Sequence, residues 1–203
     1  MTQVHLSLAM VRSATDAHPY STRAIGRDDA DEQADLLRRM WTHADFASDE
    51  LPARMVRVGW DKIERSILSA GFTLLDQRAA AIFAKHDLGA GFLWEISVVG
   101  PDGAPLFEAP WFGLHVGAVK KSLDLEASDG VKTMFGNRTL DTHPIETGAK
   151  RLVLASNAAE GADVWAEASL IGLPFFFVST RLVEALEAAG IAADFDFVAC
   201  AAT

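Results

Sequence analysis

Four residues within ten positions, His115, Lys120, Lys121 and Asp124, form the grouping in this chain whose types could do chemistry together. An imidazole there would serve as a general base, and a neighbouring ammonium would stabilise developing negative charge. The other histidines, His5, His18, His43, His86 and His143, form no His-x-x-x-His or His-Glu-x-x-His pair, and a single cysteine provides no thiolate set for zinc. The chain has no Gly-x-Ser-x-Gly elbow, no Walker loop and no Gly-x-Gly-x-x-Gly fingerprint. Asp61 with Glu64, and Glu184 with Glu187, stand three apart, but nothing apolar beside them marks a pKa-shifted acid. The sequence therefore assigns no catalytic residue, no cofactor and no metal ligand. An enzyme built on the His115–Asp124 region is the least favoured of the functional classes.

Charge points elsewhere. The 203 residues are 50% apolar and 23% charged, an ordinary globular composition, with a formal net charge of −10. That balance opposes nucleic acid, whose affinity rests on Lys and Arg neutralising phosphates, and opposes anionic membrane surfaces. It suits a basic protein partner, because complementary fields speed encounter and discourage wrong pairings. The segment 16–50 alone carries nine acidic and four basic residues. Candidate partner-binding residues are Asp28, Asp29, Asp31, Glu32 and Asp35 there, then Asp124, Glu126 and Asp129. The five tryptophans are mostly core candidates, and core is the favoured reading for Trp111 as well; following Ala109-Pro110 it is the one most open to partial exposure, and so a candidate partner-binding anchor of the aromatic kind typical of interfaces.

Cys200 cannot form an intrachain disulfide and fits a reducing compartment. The apolar stretch within Met1–Val11 has no basic residues before it, unlike a secretory signal, and no apolar run reaches the ~18 residues of a membrane span. Cytoplasm is the expected location.

Periodicity supplies the elements that must position these residues. Val4, Leu6, Leu8 and Met10 alternate as in a strand. Asp28 to Trp41 reads as a helix with Ala30, Ala34, Leu37 and Trp41 inward and acids in its first turns, where the helix dipole favours them. Trp60 to Leu68 reads as a short helix or turn. Gly100-Pro101-Asp102-Gly103 reads as the turn of a hairpin between Leu93–Val99 and Leu106–Trp111. Gly113 to Gly148 reads as a loop-rich joint containing a short strand at Leu114–Val119, and Arg151 to Ala155 as another short strand.

The most informative pattern is an internal repeat. Phe72-Thr73-Leu74-Leu75-Asp76-Gln77-Arg78 leads through a periodic stretch to His86, Leu88 and Phe92-Leu93-Trp94. Phe175-Phe176-Phe177-Val178-Ser179-Thr180-Arg181 leads at the same offsets to Ala189, Ile191 and Phe195-Asp196-Phe197. Each copy reads as a short buried strand, a helix capped by Asp76 or Ser179, a closing Gly89 or Gly190, and a second strand. Arg78 and Arg181 fall in first helical turns, where a cation opposes the dipole, so each calls for another partner such as a carboxylate inside the fold.

The second copy, Phe176 to Leu182, then Ala185-Leu186, Ala189-Gly190-Ile191 and Phe195-Asp196-Phe197, resembles the tail of a family of bacterial immunity proteins encoded beside polymorphic toxins of type VI or contact-dependent systems. The likeness extends over about the last two thirds of the chain, including Leu75 to Arg78 and the turn at Gly100–Gly103. Asp76 stands where the family more often has Ser. The resemblance implies a protein that binds a cognate toxin and carries no catalytic residues.

The expected fold class is thus α/β in the α+β sense: two related strand–helix–strand units on mixed sheets, as one compact domain or two closely packed lobes. By chain order these are an N-terminal half at 1–112 with the acidic helix, the joint at 113–148, and a C-terminal unit at 149–203. The expected function is neutralisation of a secreted toxin by binding, with an adaptor next and an enzyme last.

Overall fold

A computed structural model describes residues 6–10, 21–24, 30–47, 50–58, 66–69, 73–129, 131–134, 137–140, 152–170 and 175–202. In chain order the elements are β1 (Leu6–Met10), β2 (Ser21–Ala24), α1 (Ala30–Trp41), β3 (Arg54–Val58), β4 (Ile67–Ser69), β5 (Thr73–Leu75), α2 (Gln77–Phe83), β6 (Phe92–Val99), β7 (Trp111–His115), β8 (Val119–Lys120), β9 (Val131–Met134), β10 (Asn137–Leu140), β11 (Leu152–Leu154), β12 (Val164–Glu167), β13 (Phe175–Val178), α3 (Thr180–Ala188) and β14 (Asp196–Ala202). The expected α+β class holds, with both sheets mixed. One has the order β2-β3-β6-β7-β5-β4 and the other β11-β14-β1-β13-β12-β8; β9 and β10 form a separate hairpin. Among the described residues no helix is long and apolar enough to cross a membrane.

The repeat is built into the sheets. In the first unit β5 pairs antiparallel with β4 and β7, β7 pairs antiparallel with β6, and β6 pairs parallel with β3. In the second, β13 pairs antiparallel with β12 and β1, β1 pairs antiparallel with β14, and β14 pairs parallel with β11. The order β4-β5-β7-β6-β3 is therefore matched by β12-β13-β1-β14-β11. One strand differs in origin. The first unit takes β7 from the residues after β6, whereas the second takes β1 from the other end of the chain, so the sheets cut across chain order.

Local chemistry explains both helix starts. Asp76 accepts the Ala79 N–H at 2.7 Å and Ser179 accepts the Leu182 N–H at 3.3 Å, each satisfying a donor the helix leaves open. Their apolar faces meet in one core that joins the units: Ala79, Ala80 and Phe83 of α2, Leu182, Val183 and Leu186 of α3, with Leu75, Leu114, Phe176, Val178 and Phe195. Phe83 lies 6.1 Å from Phe195 in a stacked arrangement and 6.5 Å edge-on from Phe176.

The ends of the helices diverge. After α3, Gly190 at φ 71° donates to the Glu187 carbonyl (2.9 Å) and Ile191 to the Leu186 carbonyl (3.1 Å), the two bonds of a Schellman ending. A Cβ at Gly190 would meet nothing within 4 Å, so Gly190→Ala isolates the cost of a left-handed backbone. It should lower stability by about 1 kcal/mol in urea unfolding. In α2 the expected closing role of Gly89 is overturned. That helix ends at Phe83, where the His86 ring Nδ1 donates to the Ile82 carbonyl at 2.8 Å, and Gly89 (φ 60°) lies in a later turn.

Three other expectations need correction. Ile67–Ser69 is strand, not helix or turn; 59–65 lie outside the described residues. The Gly100–Gly103 turn forms, with Gly103 N–H on the Gly100 carbonyl (2.9 Å), but its return strand is displaced. Leu106 still donates to Val98, whereas Pro105 and Pro110 interrupt the run, and regular pairing resumes only at Trp111 opposite Ile96. In α1, Leu36 and Met40 are buried, and Ala34, expected inward, is exposed; the side chains of Ala30, Leu37 and Trp41 lie outside the described residues. Leu36 and Met40 pack with Met55, Leu74, Ile96, Val98 and Trp111 against the first sheet. Within the expected joint, β7 belongs to the first sheet, while Leu123 packs with Leu152, Leu154, Trp165, Phe177 and Cys200 on the second. Gly113 in β7 is required by a close approach, since a Cβ there would lie 2.2 Å from the Trp94 ring laid across it.

Candidate functional site

The start of β12 gathers the densest set of charged groups. Asp163, 2% exposed, accepts through Oδ1 from Ser179 Oγ and Arg181 Nε, and through Oδ2 from the Asp87 N–H at 2.9 Å. The Asp163 N–H donates in turn to the Asp87 carbonyl at 2.6 Å. Burial pushes the Asp163 carboxyl up, but the Arg181, Ser179 and Asp87 hydrogen bonds outweigh it and hold the group below its usual range. Arg181 thus has the carboxylate partner its place in the first turn of α3 demanded.

Ser66 occupies the matching place in the first unit. Its hydroxyl accepts from Arg78 Nη2 at 3.1 Å, its carbonyl accepts the Asp76 N–H at 2.8 Å, and its N–H donates to Asp194 Oδ2 at 2.8 Å. Asp87 follows α2 and Asp194 follows α3. Each helix exit therefore ties down the strand entry of the opposite unit, and the two Arg are fastened inside this reciprocal seam.

Beside it, Lys120 donates from Nζ to the carbonyls of Ala158 (3.0 Å), Glu160 (2.7 Å) and Ala162 (2.8 Å), with the ammonium 4.0 Å from the Trp165 ring centroid. Burial lowers its pKa against the opposing pull of Asp163 and Asp87. Glu167, 4% exposed, accepts at Oε2 from Ser122 N–H (2.7 Å), Ser122 Oγ (2.8 Å) and Leu123 N–H (2.8 Å). Its Oε1 accepts from Ser169 N–H (3.0 Å) and Oγ (2.8 Å), and Trp165 Nε1 donates to Ser122 Oγ at 2.9 Å.

The structure does not assemble the His115, Lys120, Lys121 and Asp124 grouping. His115 is buried between Phe46 and Phe92, centroids 5.2 and 5.0 Å away, whereas Lys120 faces Trp165 and a ring of carbonyls. Lys121 is exposed, and Asp124 accepts the N–H groups of Glu126 (3.1 Å) and Ala127 (3.0 Å) in its own turn. Among the described residues no group of three or more His, Cys, Asp or Glu is placed to hold a metal.

The expected partner-binding residues fare unequally. Trp111 is 5% exposed, because strand pairing opposite Ile96 turns it into the core beside Phe107; it is no surface anchor. Asp28 and Asp29 lie outside the described residues, and Asp31 and Glu32 sit in α1 with their side chains likewise outside. Asp35 is exposed and paired with Arg38 at 2.5 Å. Glu126 and Asp129 are exposed, as are Asp102, Glu108, Glu160, Glu184 and Glu187, and none of these pairs with a described cation. Arg39, Arg78, Arg181 and Lys120 are instead held by partners within the fold. Comparison with family models and with curated proteins returns no match.

Sequence reading missed Asp163, Glu167 and Asp87. Only the awkward position of Arg181 pointed toward the first, and no periodic signal marks the other two.

Proposed function

We propose that the protein is an immunity protein that binds a cognate secreted toxin in the cytoplasm and neutralises it by protein–protein contact. The observation that carries this reading is the division of charge. The seam cations Lys120, Arg78 and Arg181 are each tied to acceptors of the fold, the two Arg while still largely exposed, whereas Glu126, Asp129 and other acids on loops and helix faces stand free of described cations. The outward field is therefore acidic and suits a basic toxin domain. The likeness of the α3–β14 tail to immunity proteins agrees with it.

The test mixes the purified protein with the product of its neighbouring gene and follows co-elution on gel filtration at 50 and 200 mM salt. A co-eluting complex that is depleted at least several-fold at the higher salt, at protein concentrations near half-saturation, is expected, since exposed charges are screened beyond ~8 Å at physiological ionic strength. A complex indifferent to salt would remove the electrostatic part of the proposal. A harmless neighbour that nonetheless binds stably would favour an adaptor.

A further inference from the structure

At the end of α1, His43 adopts φ 56°, a left-handed position that a side-chain-bearing residue rarely takes. Its N–H donates to the Met40 carbonyl (3.2 Å) and the Ala44 N–H to the Arg39 carbonyl (3.0 Å), a Schellman ending with histidine where glycine would serve. What glycine would lack is the ring, whose Nδ1 donates across 73 residues to the Val116 carbonyl at 2.8 Å. Three residues on, Phe46 sets its ring edge against His115. Arg39 braces the turn, stacking 4.5 Å over Phe46, pairing with Glu50 at 2.5 Å and donating to the Asp45 carbonyl at 2.7 Å. The segment is thus rigid in itself and is fastened to the sheet beside and upon His115.

His115 is 3% exposed, and among the described residues its Nδ1 has no hydrogen-bond partner. A neutral ring can leave that nitrogen as a bare acceptor; a charged ring would bury a cationic N–H with nothing to receive it. We propose that Arg39 to Phe46 is an acid-released strap, held on the first sheet by neutral His115 and let go when His115 takes a proton. The groups facing His115 do not rescue the charge. His43 repels it, Asp45 is an exposed carboxylate that offsets part of the cost, Arg39 and Glu50 are joined to one another, and Phe92 of β6 brings no charge.

The sign follows. Burial first, then His43, lowers the His115 pKa to about 4, and burial lowers that of His43. Both rings favour the held state fully above the ordinary value near 6.5, and that preference drains away as pH falls below it, for His115 between 6.5 and about 4. A ring titrating near 6.5 when released and about 4 when held raises the released population about 25-fold between pH 7 and pH 5.

Hydrogen exchange on the full chain at the two pH values, corrected for intrinsic rates, tests this. Amides of 36–47 should lose protection about 25-fold while those of β11 and β13 hold theirs. In His115→Phe, which fits between Phe46 and Phe92, most of the pH response should disappear, and in His43→Asn/His115→Phe all of it. Should the phenylalanine variant fold poorly, His115→Gln, neutral throughout, must show the same flattening. Full response in His115→Phe or His115→Gln, or a wild-type strap whose protection is unchanged by pH, would overturn the proposal.

Discussion

Glu167→Ala should lower the unfolding free energy by about 4 kcal/mol, seen as a fall in the urea midpoint at unchanged slope. The figure comes from what the carboxylate leaves behind. Three backbone N–H groups, of Ser122, Leu123 and Ser169, point at its oxygens, and the Ser122 and Ser169 hydroxyls close the set. A buried donor left without an acceptor costs about 1–3 kcal/mol. Water entering the vacated space would soften the loss, which places the expectation below the plain sum. Against a typical total of 5–15 kcal/mol this is a large fraction. Glu167→Gln should lose less, because its remaining carbonyl oxygen still accepts two or three of the five bonds. The segment most affected should be the one Glu167 holds, from Ser122 to the Leu123–Leu154 bridge.

Asp163→Ala should come next, at about 3 kcal/mol, and its comparison with Arg181→Ala is the informative part. Removing the carboxylate orphans the Asp87 N–H and the Ser179 hydroxyl at the point where the units are tied together. Arg181 is 61% exposed, so its truncation leaves water free to solvate what it abandons and should cost under ~1 kcal/mol. The pH dependence separates the two further. A carboxyl held below its usual range stabilises the fold fully above its unfolded value near 3.9, and that share is lost as pH falls through the lower native value. The wild-type protein should therefore show an acid limb below about pH 4 that is shallower in Asp163→Ala. Equal losses in the two single variants would mean that the ion pair, rather than the buried carboxylate, carries the seam.

What the sequence made legible was local. Ser179 and Asp76 announce helix starts because a short oxygen-bearing side chain can reach the third N–H along, and Gly190 announces an end because its φ is positive. The repeat was readable since both copies solve one local problem, a buried strand turning into a capped helix. Pairing across long distances left no such mark. Nothing in Leu6–Met10 says that it lies between β13 and β14, in the place β7 fills by following β6 directly. Side-chain direction was equally hidden where proline breaks the count: Ala109-Pro110 left partial exposure of Trp111 open beside the favoured core reading, and the strand restarts with that residue facing inward. The buried charges were the least visible. Asp163 and Glu167 look like surface residues in sequence, and only the arrival of donors from remote loops makes them interior groups; Lys120 is half-buried in the same way by carbonyls from a distant loop.

The central claim, that this acidic fold neutralises a toxin by binding it, is tested most directly by growth. A host expresses the neighbouring gene's product with and without this protein. The account predicts arrest without it and growth restored with it, the rescue weakening when Glu126 and Asp129 are both reversed to lysine in a chain that stays folded. Arrest that the intact protein leaves unchanged would contradict the account.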